Sequence, residues 1–370
     1  MEKASQQKSR WLEQLDKHFQ REVGKKPLRW LDAFDLSLAL RGLAWVSENR
    51  RGKHFRRLPN RSDKYLTEGV RHFSHCPAGV FLSFFTNAAD ISVRMSVEDF
   101  EQMHHMPATG MAGAELYFRA GETWHPVAMA RPSLSMNAFE CSLIKNASRQ
   151  QREFRLYLPL YKKVNSLALG VEPGAIIKPA PAQKGNKPIL FYGTSITQGG
   201  CANTPGSNYV SSIGRILDTE VINLGFSGNG KGEPALARLM REIDAEIFVL
   251  DFIANAEIET LDTVLPEFIK LLRARHRHTP IALLGCPAFD LSLLSAKVYA
   301  TLDRKRDITL RTYLNAKSAG DRNLHFIDGN SLLPAGVTGS YVDGVHPTSH
   351  GFAIIAERLA PQLHAIRFRP

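Results

Sequence analysis

The chain has 370 residues, more than one hydrophobic core ordinarily organises, so two domains are expected. Hydrophobic residues make up 44% and charged residues 22%, a globular balance that excludes disordered and fibrous classes. The net charge of +11, from 47 Lys+Arg against 36 Asp+Glu, favours anionic partners without naming one.

The opening MEKASQQKSRWLEQLDKHFQ is polar and lacks an apolar core region, so it does not read as a secretory leader. Within residues 1–28, Trp11, Leu12, Leu15, Phe19 and Val23 recur at helical spacing and predict an amphipathic helix from about Ser5 to Val23. No run is long and apolar enough to span a bilayer. Cys76, Cys141, Cys201 and Cys286 contain no C-x-x-C pair, and reduced thiols in a cytoplasmic protein are the expectation.

The densest basic cluster is Arg50, Arg51, Lys53, Arg56, Arg57 and Arg61. It reads as a solvated loop, or else as a patch for an acidic polysaccharide, a membrane surface or nucleic acid. No zinc-ligand spacing, RNA-binding signature or DNA-reading helix accompanies it, so no nucleic-acid partner is expected.

From residue 29 to 172 short apolar runs alternate with turn residues. Ile91–Val97 and Glu153–Leu158 alternate with period two, the mark of half-buried strands. Gly110, Gly113, Gly121, Pro107, Pro126 and Pro132 punctuate the region, and together these features predict a β-sandwich. Residues 173–187 are rich in Pro, Gly and Ala and read as a linker. From 188 to 370 the rhythm is β-α-β-α. Apolar runs at 189–192, 220–224, 247–250, 281–284 and 324–327 are separated by helical stretches near 208–217, 235–243, 261–275, 292–317 and 349–363. That order predicts a five-stranded parallel sheet covered on both faces.

Ligand sites in such sheets form at the carboxyl ends of the strands. Four polar clusters fall at or soon after such ends. Gly193-Thr194-Ser195-Ile196-Thr197 follows the first strand and sets a serine on the turn. It is not the Gly-x-Ser-x-Gly elbow, because position 197 is Thr. Asn223-Leu224-Gly225-Phe226-Ser227-Gly228-Asn229 follows the second, where Gly225 would let a backbone N–H approach a ligand. Asp251-Phe252-Ile253-Ala254-Asn255 follows the third, and an Asn amide can donate to an oxyanion. Asp343-Gly344-Val345-His346-Pro347 precedes the last helix, and an Asp three residues before a His can orient its ring. Each cluster alone also reads as a cap or turn; their joint order in one α/β domain carries the weight.

These residues resemble the SGNH, or GDSL-type, hydrolases, whose four blocks supply a Ser, a Gly, an Asn and a His with a nearby Asp. FYGTSITQGG and NLGFSGNG are similar to a two-domain subgroup with an N-terminal jelly-roll or galactose-binding-like β-sandwich. The resemblance implies a three-layer α/β/α, flavodoxin-like catalytic domain with Ser195 as nucleophile, His346 and Asp343 as partners, and an oxyanion hole from Ser195, Gly225 and Asn255. It implies a carbohydrate-esterase-like activity on short, acetyl-type esters, or acyl transfer by the same triad. A small-molecule or carbohydrate ester is the implied substrate. The departures are Thr194, where many members have Asp, and Asp-Phe-Ile-Ala-Asn in place of Gly-x-Asn-Asp.

No cofactor is expected, and no metal. His346 and His350 are four apart but flank Pro347, and His276 and His278 lack a carboxylate set between them. His104-His105 reads as a surface or interface pair. Phe226, Phe252, Phe289 and Tyr341 are candidates either for an acyl pocket or for core, and Trp124 and His125 for sugar contacts. A non-catalytic carbohydrate-binding protein is the remaining alternative, against which the complete Ser, Asn, Asp and His set argues.

Overall fold

Alternation of side-chain character builds the N-terminal domain. A computed structural model describes residues 15, 23, 26–98, 102–132, 137–181 and 187–368. Apart from Leu15 and Val23, the helix predicted from Ser5 lies outside the described residues. Ten strands follow: β1 (Arg29–Asp32), β2 (Ala39–Arg41), β3 (Phe81–Thr86), β4 (Ile91–Val97), β5 (Ala114–Ala120), β6 (Thr123–Ala130), β7 (Ala138–Ile144), β8 (Arg152–Tyr157), β9 (Val164–Val171) and β10 (Ile177–Pro179). They form two antiparallel sheets, ordered β1-β9-β4-β7 and β10-β3-β8-β5-β6, with β2 also on β3. Leu82, Phe84, Val93, Met95, Leu116, Leu156 and Leu169 fill one core between them. The result is the predicted sandwich. Strand β10 falls inside the stretch predicted as a linker; it pairs with Phe84–Thr86 and extends the sheet edge, where a proline is tolerated.

The second domain has β11 (Ile189–Gly193), β12 (Val221–Gly225), β13 (Ile247–Asp251), β14 (Ile281–Leu284) and β15 (Leu324–Ile327), all parallel, in the order β12-β11-β13-β14-β15. The strands are predominantly apolar because both faces are covered. Ile189, Phe191 and Val249 point to one face, against α5 (Tyr209–Ile216) and α10 (Ser349–Arg367). Leu190, Tyr192, Phe248 and Leu250 point to the other, against α6 (Pro234–Met240), α7 (Leu261–Arg273) and α8 (Ala296–Ser318). The strand order reverses between β11 and β13, which opens a crevice at their carboxyl ends.

The two domains share core. Met106, Met111, Leu160 and Tyr161 join the first face, and Leu58, Leu66 and Val70 the second. The basic cluster is part of this junction, contrary to both sequence expectations for it. Arg56 and Arg57 are 2% and 1% exposed. Arg57 donates to the carbonyls of Phe73 and Cys76 in its own domain and of Asn223 and Gly225 across the junction. Arg56 pairs with Asp63. Arg50 donates to Phe34 and Leu38 carbonyls, and Arg61 pairs with Glu48 and Glu242. Most of the charge is spent on carbonyls and carboxylates of the chain itself, so it is not a free anion-binding patch.

Candidate active site

Ser195 is the first residue of a short helix, α4 (Ser195–Gln198), entered directly from β11. Thr194 caps it by accepting from the Ile196 N–H at 3.2 Å, the role an Asp could fill at that position. The Ser195 Oγ lies 2.9 Å from His346 Nε2. The other ring nitrogen, Nδ1, lies 2.7 Å from Asp343 Oδ2. Asp343 Oδ1 accepts the backbone N–H groups of His346 at 2.8 Å and Val345 at 3.1 Å. Desolvation acts to raise the Asp343 carboxyl, but these hydrogen bonds outweigh it and hold it at about 2. The carboxylate is therefore ionised at neutral pH. The proton of a neutral His346 then sits on Nδ1, which leaves the Nε2 lone pair facing the serine.

The floor of the turn is closely tied. Asn223 Nδ2 donates to the Thr197 carbonyl at 2.6 Å, and the Ser227 N–H donates to Gln198 Oε1 at 2.9 Å. Gln198 Nε2 reaches Leu160 of the sandwich domain at 3.0 Å. Thr197 and Tyr209 hydroxyls both donate to Asp251 Oδ2, at 2.8 and 2.7 Å. Burial pushes the Asp251 carboxyl up to about 6 despite those two bonds.

A model of the GDSL-like lipase/acylhydrolase family matches residues 186–364, and a model of the N-terminus of SGNH-hydrolase-type esterases matches residues 28–177. The chain belongs to the SGNH, GDSL-like hydrolases. Among solved structures, one described as a GDSL-like lipase from Bacteroides ovatus is 28% identical, with a TM-score of 0.85, covering 92% of this chain and 98% of its own. The salicylyl-acyltransferase SsfX3 of a tetracycline biosynthetic pathway is 20% identical, with a TM-score of 0.75 and coverage of 93% and 98%. A family two carbohydrate esterase from Cellvibrio japonicus is 14% identical, with a TM-score of 0.60 and coverage of 92% and 98%. The last two share the fold. No curated protein matches the chain significantly.

The SGNH domain brings Ser195, His346 and Asp343 together and ties Asn255 to Asn229 of the loop after β12, but Gly225 does not fit its expected part. Its N–H is taken by Asn223 Oδ1 at 2.8 Å, an Asx turn inside the strand end. A Cβ there would collide with the Thr197–Gln198 backbone, so Gly225 is required for close packing and not as a donor. Gly228 is the better candidate. It is exposed, sits at φ +65°, and its N–H has no partner among the described residues. The Asn-x-Gly spacing in NLGFSGNG already signals the Asx turn. Asn255 Nδ2 spends one hydrogen on the Asn229 carbonyl at 2.7 Å, and its second has no partner among the described residues.

Other candidates of the hydrolase are placed elsewhere. Phe226 and Phe252 are fully buried core, whereas Phe289 and Tyr341 are half-buried and meet edge-on. Trp124 is buried with the Arg155 guanidinium 4.0 Å over its ring, so it is not a sugar platform. His276 bonds the Arg241 carbonyl, and His350 is exposed. A cavity of about 490 Å³ lined by Pro266, Ile269, Ile308 and Thr312 lies between α7 and α8, away from the triad. The sandwich domain supplies a residue that sequence reading set aside: the His105 ring lies 5.7 Å, centroid to centroid, from that of His346.

Proposed function

We propose that this SGNH hydrolase removes short acyl groups, acetyl foremost, from the hydroxyls of a carbohydrate. The observation that carries the reading is the unbroken chain Asp343–His346–Ser195 at the carboxyl edge of the sheet. His346 Nε2 takes the Ser195 proton as Oγ attacks the ester carbonyl. The oxyanion accepts hydrogen bonds from the Ser195 N–H, the Gly228 N–H and the second Asn255 amide hydrogen. His346 then gives its proton to the leaving sugar hydroxyl. Water, deprotonated by the same nitrogen, releases acetate from the acyl-enzyme.

Two features support a carbohydrate. The sandwich-plus-SGNH architecture is that of the Cellvibrio japonicus carbohydrate esterase over 92% of this chain. The His346 and Asp343 side chains are 22% and 38% exposed beside a buried Ser195, so the partner end of the triad faces solvent, which suits an ester borne on a large polar carrier. The acyltransferase alternative uses the same steps until a sugar or natural-product hydroxyl replaces water. Its support is the architecture of the salicylyl-acyltransferase.

The test is product analysis on p-nitrophenyl esters of increasing chain length and on acetylated oligosaccharides, with and without free alcohol acceptors. Free acetate with a preference for short chains is expected. Transesterified product in excess of acetate would favour the transferase, and a preference for long acyl chains would overturn the acetyl-sugar reading.

A further inference from the structure

We propose that His105, Cys201 and His346 form a site for a thiophilic divalent cation such as Zn²⁺, and that the bound cation switches the hydrolase off by occupying His346 Nε2. The inhibitory half rests on the catalytic reading of His346; the binding half does not.

The three residues come from distant parts of the chain and converge. One ligand atom from each lies within 4.8 Å of the others, the one such group among the described residues. Ligands of tetrahedral zinc sit about 2.0–2.3 Å from the metal, so roughly 3.3–3.7 Å from one another. Closing that difference takes a shift of about 1 Å. His105 can supply it: it is half-buried and makes no hydrogen bond among the described residues. Two imidazoles and a thiol are the donor set that prefers zinc to magnesium or calcium.

Cys201 has no evident structural task. Its residue is 1% exposed, yet among the described residues its thiol has no hydrogen-bond partner. It also sits at φ +71°, where a side chain other than glycine is strained. Gly199, two residues earlier, is also left-handed at φ +103°, and glycine would be the ordinary choice at a second such position. A strained, buried, unpartnered thiol facing two imidazoles is consistent with a ligand. The outer shell is also present. Asp343 bonds Nδ1 of His346, the carboxylate–histidine arrangement that orients imidazole ligands toward zinc.

The chemistry is simple exchange. On binding, Cys201 releases its thiol proton to solvent, and its sulfur and the two imidazole lone pairs bond the cation; water takes the fourth position. Nothing is oxidised. The Nε2 lone pair engaged by metal can no longer accept the Ser195 proton.

Co²⁺ is the probe for binding and Zn²⁺ for inhibition, both added to full-length protein freed of metal with a chelator. Wild type should show the near-ultraviolet thiolate-to-cobalt charge-transfer band and the visible bands of a tetrahedral site, both erased by Zn²⁺. Cys201→Ser should lose the charge-transfer band. His105→Ala, at a half-buried position, should weaken Zn²⁺ binding at least about tenfold. Both variants should keep metal-free ester hydrolysis and lose its reversible inhibition by Zn²⁺. A wild type without the band, or a band that survives in Cys201→Ser, overturns the site. If the band behaves as expected while no ester is hydrolysed, the metal site stands and the esterase reading fails.

Discussion

Replacing Arg57 with Met tests whether the domain junction also supports the catalytic loop. The guanidinium makes four hydrogen bonds: Nε to Cys76 O at 2.7 Å, Nη1 to Asn223 O at 2.9 Å and Gly225 O at 2.7 Å, and Nη2 to Phe73 O at 2.7 Å. It also lies 4.8 Å over the Phe226 ring. Hydrogen bonds from a charged donor contribute about 1.5–3 kcal/mol each, so the gross term is roughly 6–12 kcal/mol. Desolvation offsets part of it. Burial pushes the Arg57 guanidinium down to about 10, a cost of roughly 3 kcal/mol at about 1.4 kcal/mol per unit. Methionine refills much of the volume but leaves four carbonyls without their donor. The difference is roughly 3–9 kcal/mol, and methionine's packing sets the expected net loss at the low end, about 3–5 kcal/mol, comparable to breaking a buried ion pair. At about 2–4 °C per kcal/mol, Tm should fall by roughly 6–20 °C. Because Asn223 and Gly225 carry the loop that presents Gly228, kcat should fall as well, measured below the new transition. Thermal unfolding followed by fluorescence, alongside ester hydrolysis, reads both effects. If Arg57→Met unfolds within about 1 kcal/mol of wild type and keeps its kcat, the junction has been misjudged.

Three further outcomes follow. Asn255→Ala should lower kcat about 100- to 1,000-fold with KM little changed, and an unchanged kcat would remove Asn255 from the oxyanion hole. Gly225→Ala should destabilise the protein more than Gly228→Ala. The first forces a Cβ into backbone, while the second faces open space and carries only the cost of a left-handed residue, about 1–2 kcal/mol; equal urea midpoints would contradict this. Asp251→Asn keeps the acceptor for Thr197 and Tyr209 but removes the charge. The folded-state pKa of about 6 lies above the ordinary 3.8, so the native state holds its proton longer. Ionisation therefore lowers stability as pH rises from about 4 to about 6, by up to roughly 3 kcal/mol at about 1.4 per unit. The variant should match wild type near pH 4 and exceed it near pH 7 in urea midpoint, and a gap independent of pH would refute the assignment.

The catalytic domain was legible because buried parallel strands must be continuous apolar runs and their carboxyl ends must carry the site. All five strands form, the Ser195 and Asn255 clusters follow the ends of β11 and β13, and the Asp343–His346 cluster reaches Ser195 from the loop before the last helix. What stayed hidden was decided by tertiary partners. Gly225 was assigned as a donor because its availability depends on where Asn223 points. His105 was set aside because its proximity to His346 arises only when the sandwich docks on the α/β domain. Arg56 and Arg57 read as part of a charged surface cluster because linear charge density does not reveal buried carbonyl partners. Ile177–Pro179 read as linker because a three-residue edge strand leaves no periodicity.

The central claim is that Ser195 is the nucleophile. A fluorophosphonate that phosphonylates activated serines, followed by peptide mass mapping, tests it directly. Stoichiometric modification at Ser195 with parallel loss of hydrolysis is expected, with little modification in His346→Ala. Labelling at another serine, or full activity after Ser195 is modified, would contradict it.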